Sequence, residues 1–186
     1  MALMKPILYF LRSSEQKITK DMLHYAFRLD EVNKTLKDFP ELEIFEKNYG
    51  IYHSDAGLYA LVEQKIVGAV WVRKLGEQHK LNGFVDEDTP ILNIAIKPEY
   101  RAHGVGSAML EQFLVEAGAV FENLSVSILK DSKAIEFFEK FGFTKVDNAD
   151  KKSPIDGKDV ITMLKKLELK EIQRPTDGYD PRRWMD

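Results

Sequence analysis

The residues best suited to chemistry lie in one stretch, Ile94-Ala-Ile-Lys-Pro-Glu-Tyr-Arg-Ala-His-Gly-Val-Gly-Ser107. It reads as a strand entering a turn and then a helix. Gly104 and Gly106 remove side chains where the turn becomes helix, so backbone N–H groups there can approach an anion. The helix N-terminus adds partial positive charge, and Arg101 and His103 add donors. Such an arrangement suits a diphosphate. A Walker loop is excluded because Gly106 is followed by Ser107 with no lysine. A dinucleotide fingerprint is excluded because Met109 stands where its third glycine belongs. A bare Gly-x-Gly is also what a tightly packed helix start looks like. With no cysteine, thiolate metal sites and a cysteine nucleophile are ruled out. The histidines, at 24, 53, 79 and 103, lack short ligand spacing, so no metal is expected.

These residues must be positioned by a single domain, expected over 1–168. The chain has 186 residues, 44% hydrophobic and 31% charged, which suits one folded core. A formal charge of −3 argues against nucleic acid as a partner. No apolar run reaches the roughly eighteen residues of a membrane span, and no signal-cleavage pattern follows Met1 to Arg12, so no membrane association and a cytoplasmic location are expected.

Ile7 to Leu11 suits a strand. A helical stretch follows from Thr19, and helical pieces and loops fill 33 to 56. Gly57 to Glu63 and Ile66 to Val72 read as a hairpin turning at Gln64-Lys65, without the Asn-Gly that favours such turns. Ile91 to Ile96 is a buried strand stopped by Pro98. Apolar residues at 105, 109, 110, 113, 114 and 117 mark one face of a helix. Leu124 to Leu129 alternates as a strand, Ser132 to Phe141 is helical and ends at Gly142, and two strands close the fold near Phe143 to Val146 and Val160 to Leu164. The order β-α-α-β-β-β-α-β-α-β-β implies an α/β (α+β) layered fold, a mixed and mostly antiparallel central sheet flanked by helices. Residues 169–186 form a C-terminal tail, either draped loosely or anchored through Tyr179 and Trp184.

Arg101-x-x-Gly104-x-Gly106, after a strand ending Ile-Ala-Ile-x-Pro-Glu-Tyr, resembles the coenzyme A site of the GNAT (GCN5-related) N-acetyltransferase superfamily. Ala134-Ile-Glu-Phe-Phe-Glu-Lys-Phe-Gly-Phe143 resembles that family's second signature. The resemblance runs from Pro90 to Phe143 and more loosely over Gly57 to Val72. It implies a GNAT-like sheet and acetyl-CoA as cosubstrate, with no metal. It also implies direct attack by an amine, without a covalent enzyme intermediate. By this resemblance Ile94, Ala95 and Ile96 lie beside the pantetheine arm, and the Ile96 N–H or a neighbour serves as oxyanion donor. Ala102, His103, Gly104, Val105, Gly106 and Ser107, with Arg101, hold the pyrophosphate. Asp131, Ser132 and Phe138 lie near the arm on the second helix.

The sequence departs from the family where it matters for proton transfer. Many members have tyrosine at the position of Phe138, where it protonates the departing thiolate, and asparagine at Asp131. A missing acid commonly removes a factor of about 10²–10⁴. A thiolate of ordinary basicity, with a pKa of about 8.5, is nevertheless a good leaving group. Water, Ser132 or a tyrosine from the N-terminal half could replace the acid. No carboxylate lies in Leu124 to Leu129, where some members carry a glutamate. Asn93, polar in an apolar strand, either bridges a water or is a satisfied buried amide. Asp86-Glu87-Asp88 either attracts a cationic amine, with Glu87 as the candidate base, or is a solvated loop. Asp55 is a weaker candidate of the same kind.

The leading expectation is an acetyl-CoA-dependent N-acetyltransferase acting on a primary amine of a small molecule. The run Asn93-Ile-Ala-Ile resembles the ribosomal-protein acetylases of the superfamily, which keeps a protein N-terminus or lysine as an alternative acceptor. Phe138 keeps a third alternative, an acyl-CoA-binding module without turnover. Exposed strand edges or the tail offer routes to a homodimer.

Overall fold

The computed structural model describes residues 2–168, and for 148–150 the backbone alone. Among the described residues seven strands form one sheet: β1 (Ile7–Phe10), β2 (Ala56–Val62), β3 (Lys65–Arg73), β4 (Ile91–Ile96), β5 (Asn123–Leu129), β6 (Thr144–Lys152) and β7 (Asp159–Lys166). Their spatial order is β1-β2-β3-β4-β5-β7-β6. All neighbours pair antiparallel except β4 and β5, which are parallel. The helices are α1 (Gln16–Ala26), α2 (Val105–Ala117) and α3 (Ala134–Lys140). Mixed α/β architecture with a mostly antiparallel sheet is therefore as the element order implied. Among the described residues no helix is long and apolar enough to cross a membrane. The tail expected at 169–186 lies outside the described residues.

Side-chain alternation along the strands divides the interior in two. On one face, α2 and α3 cover Leu58, Val70, Val72, Leu92, Leu124 and Val126. On the other, α1 and the segment after it cover Ala69, Trp71, Ile91 and Ala95. β3 is buried on both faces from Val67 to Arg73, which is why its sequence is almost continuously apolar.

Two details differ from the sequence reading. The second helix of the expected order is three short 3-10 turns, Leu29–Glu31, Leu36–Asp38 and Pro40–Phe45. Arg28 and Asn33 in left-handed conformation and Pro40 interrupt any longer helix. The segment is instead held by side chains of β3. The Trp71 indole N–H donates to the Phe45 carbonyl at 2.8 Å, and Arg73 Nη1 donates to the carbonyls of Ile44 and Lys47 at 2.8 and 2.7 Å. The β2–β3 hairpin turns on Glu63 and Gln64, one residue earlier than expected. Both have positive φ, 48° and 65°, as a type I′ turn requires, although neither is glycine or asparagine.

Candidate coenzyme and acceptor site

β4 and β5 are registered at a single position, Ile91 with Ser125, beside the 3.1 Å bond from the Ser125 N–H to the Pro90 carbonyl. Beyond it, toward their C-terminal ends, the strands part. On its other side β4 is paired with β3 throughout, and Lys97 N–H donates to the Val67 carbonyl at 2.8 Å. Antiparallel pairs alternate between bonded and non-bonded positions. The main-chain groups of Asn93 and Ala95 therefore serve β3, while those of Ile94 and Ile96 face the gap. The Ile96 carbonyl accepts from Arg101 Nε at 3.0 Å, on the side away from β3. An interrupted ladder in mid-sheet is an edge that an extended ligand can join.

The turn lies at the mouth of this gap. After the 3-10 turn Pro98–Tyr100, Ala102 (φ 63°) and Gly104 (φ 83°) reverse the chain into α2. The first helical bond there is Ala108 N–H to the Gly104 carbonyl, 3.1 Å. The N–H groups of Val105, Gly106 and Ser107 precede it, and no side chain caps them. A Cβ on Gly106 would stand 3.8 Å from the Phe137 ring and 3.9 Å from Ile96 Cδ1. Gly106 thus faces the side chains of Ile96 and Phe137, at the junction of β4, α2 and α3.

Arg101 is engaged elsewhere than expected. Its guanidinium meets Asp30 through Nη1 and Nη2 at 3.2 and 3.3 Å, and Glu31 at 3.2 Å. It ties the turn at the mouth to the segment after α1. His103 Nδ1 donates to the Ala2 carbonyl at 3.1 Å and the His103 carbonyl accepts from Met4 N–H at 2.8 Å, so the N-terminal segment runs along the turn.

Opposite, Asp131 is exposed where β5 ends. Ser132 Oγ accepts from the Ala134 N–H at 3.1 Å in the turn before α3, keeping its own proton to donate. Phe138 is 3% exposed and packs edge-on against Phe137 and Phe143, so at this position the chain offers packing and no acid. Glu87 is not brought to Ile96. It lies in the loop before β4, a strand of six residues and about 20 Å at ~3.3 Å per residue, and accepts from Glu77 N–H at 3.1 Å. Asp55 is sequestered: its side chain is fully buried against Arg73.

The α1 face of the gap carries Asn93 and two residues that the sequence motifs did not single out, Ser127 and Thr162. Ser127 of β5 and Thr162 of β7 are cross-strand partners, and Asn93 stands two residues beyond Ile91 as Ser127 does beyond Ser125. The signal was the alternation Ser125-Val-Ser127-Ile, polar toward one face only. Toward the C-terminal end of β4, a groove of about 420 Å³ lies between α1 and the sheet, bordered by Asp21, His24, Tyr25 and Lys97. Among the described residues no cluster of His, Asp or Glu could hold a metal ion.

The acetyltransferase (GNAT) domain matches residues 54–145. No curated protein matches the chain. A GNAT-family acetyltransferase from Streptococcus pneumoniae superposes with TM-score 0.62 at 18% identity, covering 88% of this chain and 99% of that one. The ribosomal-protein-S18-alanine N-acetyltransferase from Escherichia coli gives 0.60 at 16%, covering 91% and 99%. The protein yncA from Salmonella typhimurium, solved with its cofactor acetyl-CoA, gives 0.63 at 15%, covering 93% and 99%. The similarity to these structures is one of fold, and the domain match spans the elements that build the gap and the turn. The chain carries a GNAT acetyltransferase domain over residues 54–145.

Proposed function

We propose that the protein is an N-acetyltransferase that moves the acetyl group of acetyl-CoA directly to a primary amine. The observation that carries this reading is the main-chain edge of Ile94 and Ile96, which no strand pairs and whose Ile96 carbonyl is held by Arg101, leading into the uncapped N-terminus of α2. When bound, acetyl-CoA supplies an acetyl group activated as a thioester. The N–H groups of Val105, Gly106 and Ser107 hold its pyrophosphate. Ile94 pairs with the amide-bearing arm, and the Ile96 N–H donates to the thioester carbonyl, whose oxygen gains negative charge as the amine attacks. A new N–C bond forms and the C–S bond breaks. The amine releases its proton to water, and the departing sulfur takes one from water, directly or relayed through the Ser132 hydroxyl, which water reprotonates in the same step.

Mass spectrometry of reactions with acetyl-CoA and a panel of small amines and peptides tests this reading. Acetylated acceptor with stoichiometric free coenzyme A is expected, and coenzyme release with no labelled acceptor would sink it. The buried Phe138 favours a second reading, acyl-CoA binding without turnover. Tight binding by calorimetry with no transfer to any amine would select it.

A further inference from the structure

We propose that Asn93 selects the acceptor by donating a hydrogen bond to an oxygen atom next to the reacting amine, so that the substrates are α-amino carbonyl compounds. This rests on the transferase reading above. The observation is an unpartnered group: Asn93 is 8% exposed, and its Nδ2, fully buried, has no hydrogen-bond partner. A buried amide donor without a partner is costly, and such groups in native structures commonly await a ligand or water.

Its position decides what it can meet. Ile91 belongs to the core on the α1 face, and alternation places Asn93 on that face. Ser127 and Thr162 share it, so one polar row crosses β4, β5 and β7 just past the Ile91–Ser125 junction. The opposite face of the gap is filled by Leu92, Val126, Met109 and Phe138. A thioester carbonyl held by β4 main-chain N–H groups lies near the plane of the sheet, and a nucleophile must approach it from above or below that plane. The apolar face is closed by packing. On the α1 face Gly83 lies against Ile91 and Ser127, and Thr162 is buried, so the amine arrives at the β4 end of the row, beside Asn93.

The reacting nitrogen must aim its lone pair at the acetyl carbon, so it cannot accept from Asn93. The amide N–H needs a second atom of the acceptor, an oxygen close to the amine. A carbonyl or carboxylate one carbon beyond the amine-bearing carbon meets that need, whether on a free amino acid or at a peptide amino terminus.

The test compares kcat/KM for glycine, glycinamide, glycylglycine and propylamine in wild type and in the near-isosteric variants Asn93→Leu and Asn93→Asp. Circular dichroism and calorimetric acetyl-CoA binding verify that each variant is folded and loaded. Wild type is expected to prefer the oxygen-bearing acceptors over propylamine by tenfold to about a hundredfold, and both variants are expected to lose most of that preference. Glycine against glycinamide and glycylglycine separates free amino acids from amino termini. Acetylation of propylamine as efficient as that of glycinamide, or an undiminished preference in Asn93→Leu, would overturn the assignment while leaving the transferase intact. No acetylation of any amine would remove both.

Discussion

The guanidinium of Arg101 and the carboxylate of Asp30 form a two-point contact at 3.2 and 3.3 Å across 71 residues of sequence. Arg101 Nε meanwhile holds the Ile96 carbonyl. One side chain thus fixes the segment after α1, the end of β4 and the start of the turn relative to one another. Both partners are about four-fifths buried, at 21% and 19% exposed, so the contact outweighs an ordinary surface pair.

Arg101→Lys keeps the charge and loses the fork. It is expected to cost about 1–2 kcal/mol in urea unfolding and to weaken acetyl-CoA binding about tenfold, because the mouth of the gap loses its brace. Calorimetry on the folded variant measures the second effect, and unchanged affinity would remove the positioning role.

Gly104 and Gly106 separate backbone strain from ligand contact. Gly104→Asp places a carboxylate and a β-carbon at φ 83°, with Leu3 Cδ2 already 3.0 Å from that carbon's position. Coenzyme binding should fall at least a hundredfold. Gly106→Ala meets nothing closer than 3.8 Å, and alanine favours a helix over glycine by about 0.5–1 kcal/mol. That variant should be as stable as wild type yet bind coenzyme less well, since its methyl fills the approach to α2. Thermal melts with and without acetyl-CoA read both quantities.

Asp55 and Arg73 form a buried pair, Oδ1 to Nε 3.1 Å and Oδ2 to Nη2 3.2 Å, and Asp55 also accepts from Gly50 N–H at 2.9 Å. Asp55→Ala leaves Arg73 charged and unmatched inside the protein, and should cost about 3–5 kcal/mol by urea denaturation. At temperatures where the variant stays folded, coenzyme affinity should be near that of wild type, which distinguishes a structural carboxylate from a site residue.

Much of the fold was legible because the relevant information is local. β4 and α2 begin and end where Pro98, Gly104 and helical spacing place them. The segment 29–45 was not, because its 3-10 turns depend on Trp71 and Arg73 bonding to its carbonyls from β3. Within the site, the Gly104–Ser107 turn could be read from spacing. The engagement of Arg101 could not, since nothing near it in sequence points to Asp30. Asp55 looked like a free acid only because its partner lies 18 residues away on the next strand.

Burial raises the pKa of Glu46 above 4.5, with Glu43 adding to the shift and Lys20, Arg73 and Lys47 opposing it. The native state therefore holds a proton that the unfolded chain has already released. The resulting stability is present below the unfolded pKa and is lost as pH rises through the folded one. Glu46→Gln should flatten the stability profile in the window just above pH 4.5 and leave the protein at least as stable as wild type at pH 7. Urea midpoints across that range check the sign.

The sheet crosses its own middle on one parallel rung, Ile91 to Ser125. The two halves of the fold thus meet through that rung and the core they share, with few cross-strand bonds to resist their separation. A molecule lying along Ile94 and Ile96 would supply the missing rungs, so occupancy would be written into the mechanics of the whole domain. Amide protons at those two residues should exchange quickly in the free protein and slowly when the gap is filled, and the heat needed to unfold either half should rise together with the other. The ligand would then act as an eighth strand, one the chain leaves for solution to provide.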